Sequence, residues 1–357
     1  MKKLKTWGWN EEWELSFEPY RHEGLAPARV IREDRELYLV QTETGEKTAA
    51  VSGRFRYQAA SRSDFPSVGD WAAVETDEAA GKATIVALLP RRTAFSRRHP
   101  GKNEEEQIVA ANVNTIFLVS ALDGGRNFNL RRLERYLALA RGSGAQPVIV
   151  LNKADLSDCV DRYILEAESA APALPVHPVS ALARQGLDAL EPYLATGQTV
   201  ALLGSSGVGK SALINALLGV EQQVTGEIRA QDHRGRHTTT RRELFLIPGG
   251  GMVIDTPGLR ELGLWGDESE LAGAFDDIEE LASQCRFRDC RHDGEPDCAV
   301  QQALGDGSLD ANRFDNYLRM RRELAHLARK TNPAAQRAEK ERWKKIACWQ
   351  KQIQKDR

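Results

Sequence analysis

Residues 204–211, Gly204-Ser205-Ser206-Gly207-Val208-Gly209-Lys210-Ser211, follow the spacing G-x-x-x-x-G-K-[ST]. In a loop of this kind backbone N–H groups cradle phosphates while the lysine reaches the β- and γ-oxygens. The apolar run Thr199 to Leu203 precedes it as a strand, and Ala212-Leu213-Ile214-Asn215-Ala216-Leu217-Leu218 follows as a helix. Phosphates held there would sit on a helix N-terminus, where unpaired N–H groups and the macrodipole favour anions. Taken alone, the stretch could equally be a Gly/Ser-rich turn.

Further stretches fit the same ligand. Asn152-Lys153-Ala154-Asp155 has the form N-K-x-D at the end of the apolar run Pro147–Leu151. A carboxylate only accepts, so Asp155 suits the adjacent N1 and N2 donors of guanine. Adenine offers an acceptor at that edge and would leave the carboxylate unpaired. Asn152 can bond O6/N7 and brace the loop, and the Lys153 stem can pack along the base. Ser180-Ala181-Leu182, after the strand-like Pro175–Val179, is the place for a backbone N–H to guanine O6. Asp255-Thr256-Pro257-Gly258 follows Met252-Val253-Ile254. There Asp255 would hold Mg²⁺ through water and the Gly258 N–H would meet the γ-phosphate. Arg234-Gly235-Arg236-His237-Thr238-Thr239-Thr240 fits a switch segment that needs a threonine to complete Mg²⁺ coordination. Each of these alone could be a polar loop. Together they indicate a GTPase. Leu259 follows Gly258 where Ras-like GTPases carry a water-orienting glutamine, so unaided hydrolysis should be slow. His237 is the nearest substitute in sequence, or else a solvated loop histidine.

Cys285, Cys290, His292 and Cys298 have the spacing C-x₄-C-x-H-x₅-C within a polar stretch. Three thiolates and an imidazole make a closed tetrahedral Zn²⁺ site of the structural type. Cys159 and Cys348 stand apart. From Arg321 to Arg357 the chain has twelve Lys/Arg against four Asp/Glu, with Trp343, Ile346, Trp349 and Ile353 at helical spacing. Such a helix could lie along RNA phosphates or pack its aromatics back on the protein.

The elements that must carry these residues are legible in outline. The 357 residues are 41% apolar and 28% charged with net charge −2, the profile of a soluble globular protein of two or three domains. Nothing global points to nucleic acid, so any basic surface must be local. The N-terminus lacks an apolar signal-peptide run and no segment reaches 18 apolar residues, so neither secretion nor a membrane span is expected. Residues 1–26 hold Trp7, Trp9, Trp13, Phe17 and Tyr20 and look like an extension that docks its aromatics on another domain. Short strands are expected near Arg29–Arg32, Leu37–Gln41, Thr48–Ser52, Trp71–Glu75 and Thr84–Leu88, which suits a small barrel of the OB type. The basic stretch from Arg91 to Lys102 reads as a linker or contact arm. From Ala111 strands and helices alternate: Thr115–Ser120, a helix Leu130 to Arg141, then Pro147–Leu151. This means a parallel sheet with ligands at the strands' carboxyl ends. Pro248-Gly249-Gly250-Gly251 is expected as a hairpin turn beside the nucleotide site.

The order N-K-A-D, S-A-L, G-S-S-G-V-G-K-S, G-R-H-T-T-T, D-T-P-G, then C-x₄-C-x-H-x₅-C resembles the RsgA (YjeQ/YloQ) family of circularly permuted bacterial GTPases. The guanine motifs precede the phosphate loop, the reverse of the common order. The resemblance covers essentially the whole chain. It implies a multidomain α/β protein: an extension at 1–26, an OB-fold barrel at 27–92, a circularly permuted P-loop GTPase domain at 93–270, and a zinc-binding domain with basic helices at 271–357. It also implies GTP hydrolysis to GDP and phosphate, stimulated by the small (30S) ribosomal subunit, as a late checkpoint in that subunit's maturation. On this reading the family's catalytic histidine falls on His237 and the switch threonine on Thr239. Ser211, Thr239 and Asp255 would organise Mg²⁺, and Gly204–Ser211 with Ala212 would hold the phosphates. The expected partners are GTP/GDP and the subunit with its 16S rRNA, with no membrane, in a cytoplasmic monomer. The alternatives are a GTP-sensing rRNA-binding factor with negligible turnover, a GTPase acting on the large subunit, and a metal-delivery GTPase.

Overall fold

The structure is a computed structural model and describes residues 2–34, 37–98, 106–124, 127–172, 174–219, 242–255, 271 and 273–331, with backbone alone at 97–98 and 327–331. It divides into two units, Met1–Gly263 and Leu264–Arg357.

The first unit opens with two helices, α1 (Lys2–Thr6) and α2 (Glu11–Arg21). Asn10 caps α2, its Oδ1 accepting the Trp13 N–H at 3.0 Å, which supplies one of the donors a helix start leaves unpaired. Leu4, Trp7, Trp9, Trp13 and Phe17 are buried. Trp9 stands edge-on to Trp71 with ring centroids 4.8 Å apart, and Trp13 lies 6.2 Å from the same ring. The extension therefore docks its aromatics on the barrel, as their density suggests.

Strands β1 (Ala26–Asp34), β2 (Leu37–Gln41), β3 (Glu46–Val51), β4 (Trp71–Asp77) and β5 (Lys82–Leu88) close in the order β1-β2-β3-β5-β4-β1, with β3 and β5 parallel. This is the five-stranded OB-type barrel. A short helix α3 (Gly53–Gln58) follows β3, and Ala28, Val30, Tyr38, Val40, Ala49, Ala72, Val74, Ala83 and Ile85 fill the core. All five expected strands are present, Leu37–Gln41 end to end as β2 and the other four with shifted ends.

The stretch that begins at Arg91 departs from the linker reading. Arg91 donates to both carboxylate oxygens of the fully buried Asp70 at 2.8 and 2.7 Å, and Arg92 lies over the Trp13 ring at 4.1 Å. Ala94–Arg98 is strand β6, paired with β7 (Glu106–Ala111). Arg91 turns inward because the buried Asp70 carboxylate meets it, while Arg92 stays exposed over the Trp13 ring.

The nucleotide-domain core follows: β8 (Thr115–Ala121), α4 (Leu130–Gly142), β9 (Gln146–Asn152), α5 (Val160–Ala170), β10 (Val176–Pro178), β11 (Thr199–Leu203), α6 (Lys210–Leu218), β12 (Arg242–Leu246) and β13 (Met252–Asp255). The sheet order is β10-β9-β8-β11-β13-β12, parallel except for β12, and every residue of β8 and β11 is buried. Continuous apolar runs form such strands because both faces are covered. Strand β12 then pairs with β1 through Arg32 opposite Glu243 and Glu33 opposite Arg242, so sheet and barrel are continuous. Arg242 and Glu33 are 2.9 Å apart.

The 248–251 turn does not lie beside the phosphate loop. β11 and β13 are parallel, with Thr199 opposite Met252, so the turn before β13 is at the amino end of β11. There Gly250 accepts from the Gly197 N–H at 3.0 Å. Gly8 packs at the same end with φ +91°, and a Cβ on it would stand 2.8 Å from the Gly197 carbonyl.

Arg29 joins these parts. Its side chain is buried, donates to the Trp7 carbonyl, to the Thr199 hydroxyl at 2.9 Å and to the Asn112 carbonyl at 3.3 Å, and faces the Trp71 ring at 5.3 Å. Burial pushes its pKa down to about 9 against the pull of Asp70, so the group is still charged at neutral pH. Extension, barrel and the strand leading to the phosphate loop thus share one cation. Arg29→Met relieves the desolvation but orphans three acceptors at about 1–3 kcal/mol each. Its urea midpoint is expected to fall by an amount equivalent to about 3 kcal/mol, and an unchanged midpoint would show that the cation is dispensable.

In the second unit α7 (Asp276–Ser283), α8 (Ala299–Asp306) and α9 (Ala311–Thr331) enclose Phe275, Ile278, Val300, Leu309, Phe314, Tyr317, Met320 and Leu324. Arg313 bonds both Asp277 oxygens at 2.8 and 2.7 Å. The tail residues Trp343, Ile346, Trp349 and Ile353 lie outside the described residues. No described helix is long and apolar enough to cross a membrane.

Candidate nucleotide site and metal centre

Five parallel strands set the site. The registers Leu203–Leu118, Ala121–Asn152, Leu151–Pro178 and Ala201–Ile254 bring the carboxyl ends of β11, β8, β9, β10 and β13 to one edge. The loop 204–209, the 152–155 turn, Ser180 and Asp255 all leave from that edge.

The loop's shape follows from its glycines. Gly207 and Gly209 have φ of +84° and +90°, the left-handed region that glycine enters without strain. Gly204 is buried, and a Cβ on it would lie 2.4 Å from the Val119 carbonyl. Val208 points into the core. The α6 start has Gly209 as its cap and no side-chain cap bond, so its first N–H groups face the loop's concave side. Lys210 Nζ donates to the Gly204 and Ser205 carbonyls at 2.5 and 2.8 Å. Ser211 and Ala212 lie in the first turn of α6, and Ser206 is exposed.

Asn152 is buried and ties two loops together. Its Nδ2 donates to the Val208 carbonyl at 2.8 Å, and its Oδ1 accepts the Ala181 N–H at 3.1 Å. Of the two roles open to it, the brace is the one made with the protein, and one amide hydrogen is left for a base acceptor. The Ala181 N–H is correspondingly spent on Asn152. Ser180 is buried and closes its own turn with paired backbone bonds to Gln185 at 3.0 Å. Lys153 stands at φ +61°, Ala154–Leu156 form a single 3₁₀ turn, and Asp155 is exposed on it.

Motif reading passed over Asp123. Its Oδ2 accepts from Lys153 Nζ at 2.9 Å and Asn127 Nδ2 at 2.7 Å, while its Oδ1 is buried without a hydrogen-bond partner among the described residues. Burial raises its pKa, but Lys153 and Asn127 outweigh that and hold it below the usual aspartate range. Asp123 thus fixes the lysine that would flank a base. Spacing alone could not find it, since it lies 30 residues from Lys153.

Asp255 ends β13 and is half-buried. His237, Thr239, Gly258 and Leu259 lie outside the described residues.

Cys285, Cys290, His292 and Cys298 converge in the second unit, with all ligand atoms within 4.8 Å of one another. Cys285 Sγ is 3.8 Å from Cys298 Sγ and 3.6 Å from His292 Nδ1, and His292 Nδ1 is 3.4 Å from Cys298 Sγ. A tetrahedral ion with Zn–S of about 2.3 Å and Zn–N of about 2.0 Å needs edges of about 3.5–3.8 Å. The donor set fits zinc. Burial holds the His292 pKa below its usual value, which favours the neutral ring that ligates. Burial raises the Cys285 thiol, but N–H groups of Val300 and Ala299 at the start of α8 outweigh it and bring its pKa below the usual value. Cys159 is exposed, away from the cluster.

The chain matches the family model described as RsgA GTPase over residues 88–265. A protein of Opitutus terrae, "Small ribosomal subunit biogenesis GTPase RsgA", is 49% identical over 96% of this chain and 95% of its own length. A Methanosarcina acetivorans protein of the same name is 45% identical over 95% and 90%. Among solved structures, YjeQ from Thermotoga maritima superposes with TM-score 0.63 at 29% identity, covering 84% of this chain and 99% of that one. YloQ, described as a circularly permuted GTPase, gives TM-score 0.59 at 25% identity over 85% and 96%.

Proposed function

The chain belongs to the RsgA family of GTPases, and from that premise we propose that it acts in late maturation of the small ribosomal subunit, in the cytoplasm and as a monomer. On this reading it hydrolyses GTP slowly alone, faster on the 30S subunit, and then dissociates. The observation that carries the proposal is the 49% identity to a small-subunit biogenesis GTPase along 96% of the chain. The joint convergence of the 152–155, 180–181 and 204–211 loops on one sheet edge supports it.

In the proposed site Asp155 accepts from guanine N1 and N2, the Lys153 stem flanks the base, and Asn152 keeps the base loop and phosphate loop in register. The amides of Gly204–Ser211, with Ala212 behind them, hold the phosphates, and Lys210 turns from the loop carbonyls to the β/γ-oxygens. Ser211, Thr239 and Asp255 would hold Mg²⁺, whose charge neutralises the polyphosphate. The Gly258 N–H would meet the γ-phosphate, and His237 is the candidate to orient water in place of the absent glutamine. Cys285, Cys290, His292 and Cys298 would hold one structural Zn²⁺. The barrel and the C-terminal region are the proposed 16S rRNA contacts. In sequence the second switch leads straight into the zinc unit, so nucleotide state has a direct covalent route to it.

Exchanging Asp155 for Asn should invert base choice. The amide can donate where the carboxylate only accepts, so GTP affinity should fall by about 10²-fold and xanthosine triphosphate should bind better. Competition titration reads this, and retained GTP preference would remove Asp155 from the role. The subunit assignment is tested by co-sedimentation with separated subunits and a non-hydrolysable GTP analogue. The chain should travel with the small subunit, and pelleting with the large one instead would overturn the assignment.

A further inference from the structure

An arginine reaches the phosphate loop with no anionic partner among the described residues. Arg132 is in the first turn of α4, whose start is fixed by Asn129 Oδ1 accepting the Arg132 N–H at 3.0 Å. Its guanidinium is half-buried, and its one side-chain hydrogen bond among the described residues goes from Nη1 to the Ser205 hydroxyl at 3.0 Å. It has no carboxylate partner among the described residues. The neighbouring Arg131, by contrast, is pinned on the buried Glu134 at 2.7 Å.

Ser205 links this cation to the other one in the pocket. Its carbonyl accepts from Lys210 Nζ at 2.8 Å while its hydroxyl accepts from Arg132. One residue thus carries both the ammonium that belongs on the β/γ-oxygens and a guanidinium from a rigid, capped helix. The Ser205 hydroxyl offers the guanidinium one neutral acceptor, whereas a phosphate offers anionic oxygens that can take two parallel N–H bonds. Moving to a phosphate therefore gains energy and leaves no carboxylate behind. Phosphoryl transfer spreads charge over the γ-oxygens, and an arginine supplied from the same chain is an effective way to stabilise it. Leu259 offers nothing polar in the usual place.

We propose that Arg132 is a catalytic residue acting in cis: it leaves Ser205 and contacts the γ-phosphoryl oxygens as they gain charge. The water oxygen bonds to the γ-phosphorus as the bond to the β–γ bridging oxygen breaks. The electron pair leaves on GDP, the water protons pass to phosphate and solvent, and Arg132 stays protonated throughout. The proposal rests on the reading of this pocket as the site of GTP hydrolysis.

The test is single-turnover GTP hydrolysis by the full chain and by Arg132→Ala and Arg132→Lys, with GDP affinity and binding of GDP–aluminium fluoride measured in parallel. Arg132→Ala should lose on the order of 10²–10³-fold in rate, the cost of removing one charge-stabilising donor, keep GDP affinity within about threefold, and no longer form the aluminium fluoride complex. Arg132→Lys should recover part of the rate, and it carries the test if the alanine variant does not fold. An unchanged rate, or a rate loss matched by an equal loss of GDP affinity, overturns the proposal and leaves the GTPase reading standing. A wild-type chain with no GTP turnover, alone or with small subunits, sinks both.

Discussion

Gly209→Ala is expected to abolish useful guanine-nucleotide binding, weakening GDP affinity by on the order of 10²–10³-fold. Gly209 has φ +90°, and a Cβ there would stand 2.3 Å from Asn152 Nδ2. The left-handed backbone costs a non-glycine residue about 1–2 kcal/mol. The clash also pushes Asn152 off the Val208 carbonyl and the Ala181 N–H, each bond worth about 1 kcal/mol. At about 1.4 kcal/mol per tenfold, the total of about 3–4 kcal/mol gives the stated loss. The control is Gly219→Ala at the end of α6, with φ +71° but nothing among the described residues within 4 Å of its Cβ. It should cost some stability and leave affinity alone. Titration of a fluorescent GDP analogue measures both. Wild-type affinity in Gly209→Ala would mean that this loop is not the phosphate cradle.

Removing zinc should unfold the second unit and spare the first. Among the described residues the unit's buried side chains number few beyond Phe275, Ile278, Val300, Leu309, Phe314, Tyr317, Met320 and Leu324, and its ligands span the connection between α7 and α8. Structural zinc sites contribute about 10–16 kcal/mol of apparent binding energy, more than a small core supplies alone. Cys298→Ser removes a buried ligand that touches both Cys285 and His292. The wild-type chain should carry one zinc by elemental analysis. The variant, or the chelated wild type, should lose amide-exchange protection across α7–α9 while β8, β9 and β11 stay protected and GTP still binds. A chelated chain with full protection in α7–α9 would show that the unit holds without metal.

Chemistry that depends on local spacing was legible in the amino-acid sequence. The loop at 204–211, the 152–155 turn and the Cys/His cluster each sit within 14 residues, so local spacing exposes them, and the four cluster residues do converge in the structure. The barrel strands were also legible, because alternation and turn residues are local signals. What was not legible was pairing across distance. Arg29 gathers Trp7, Asn112 and Thr199 from 22 to 170 residues away, and Arg91 meets Asp70 across 21. No motif records such partners, so a basic run looked like a linker or contact arm. The 248–251 turn was assigned to the wrong edge because its place depends on the parallel pairing of β11 and β13. Asp123 and Arg132 were missed for the same reason, each acting on a motif residue from another loop or helix.

We propose a timer whose hydrolysis is set by the small ribosomal subunit. The most direct test is the steady-state GTP hydrolysis rate of the full chain alone, with purified 30S subunits and with purified 50S subunits. The expected result is slow turnover alone, a rise of at least an order of magnitude with 30S, the step an added stabilisation of about 1.4 kcal/mol or more would give, and little change with 50S. Equal rates with and without 30S subunits would contradict it.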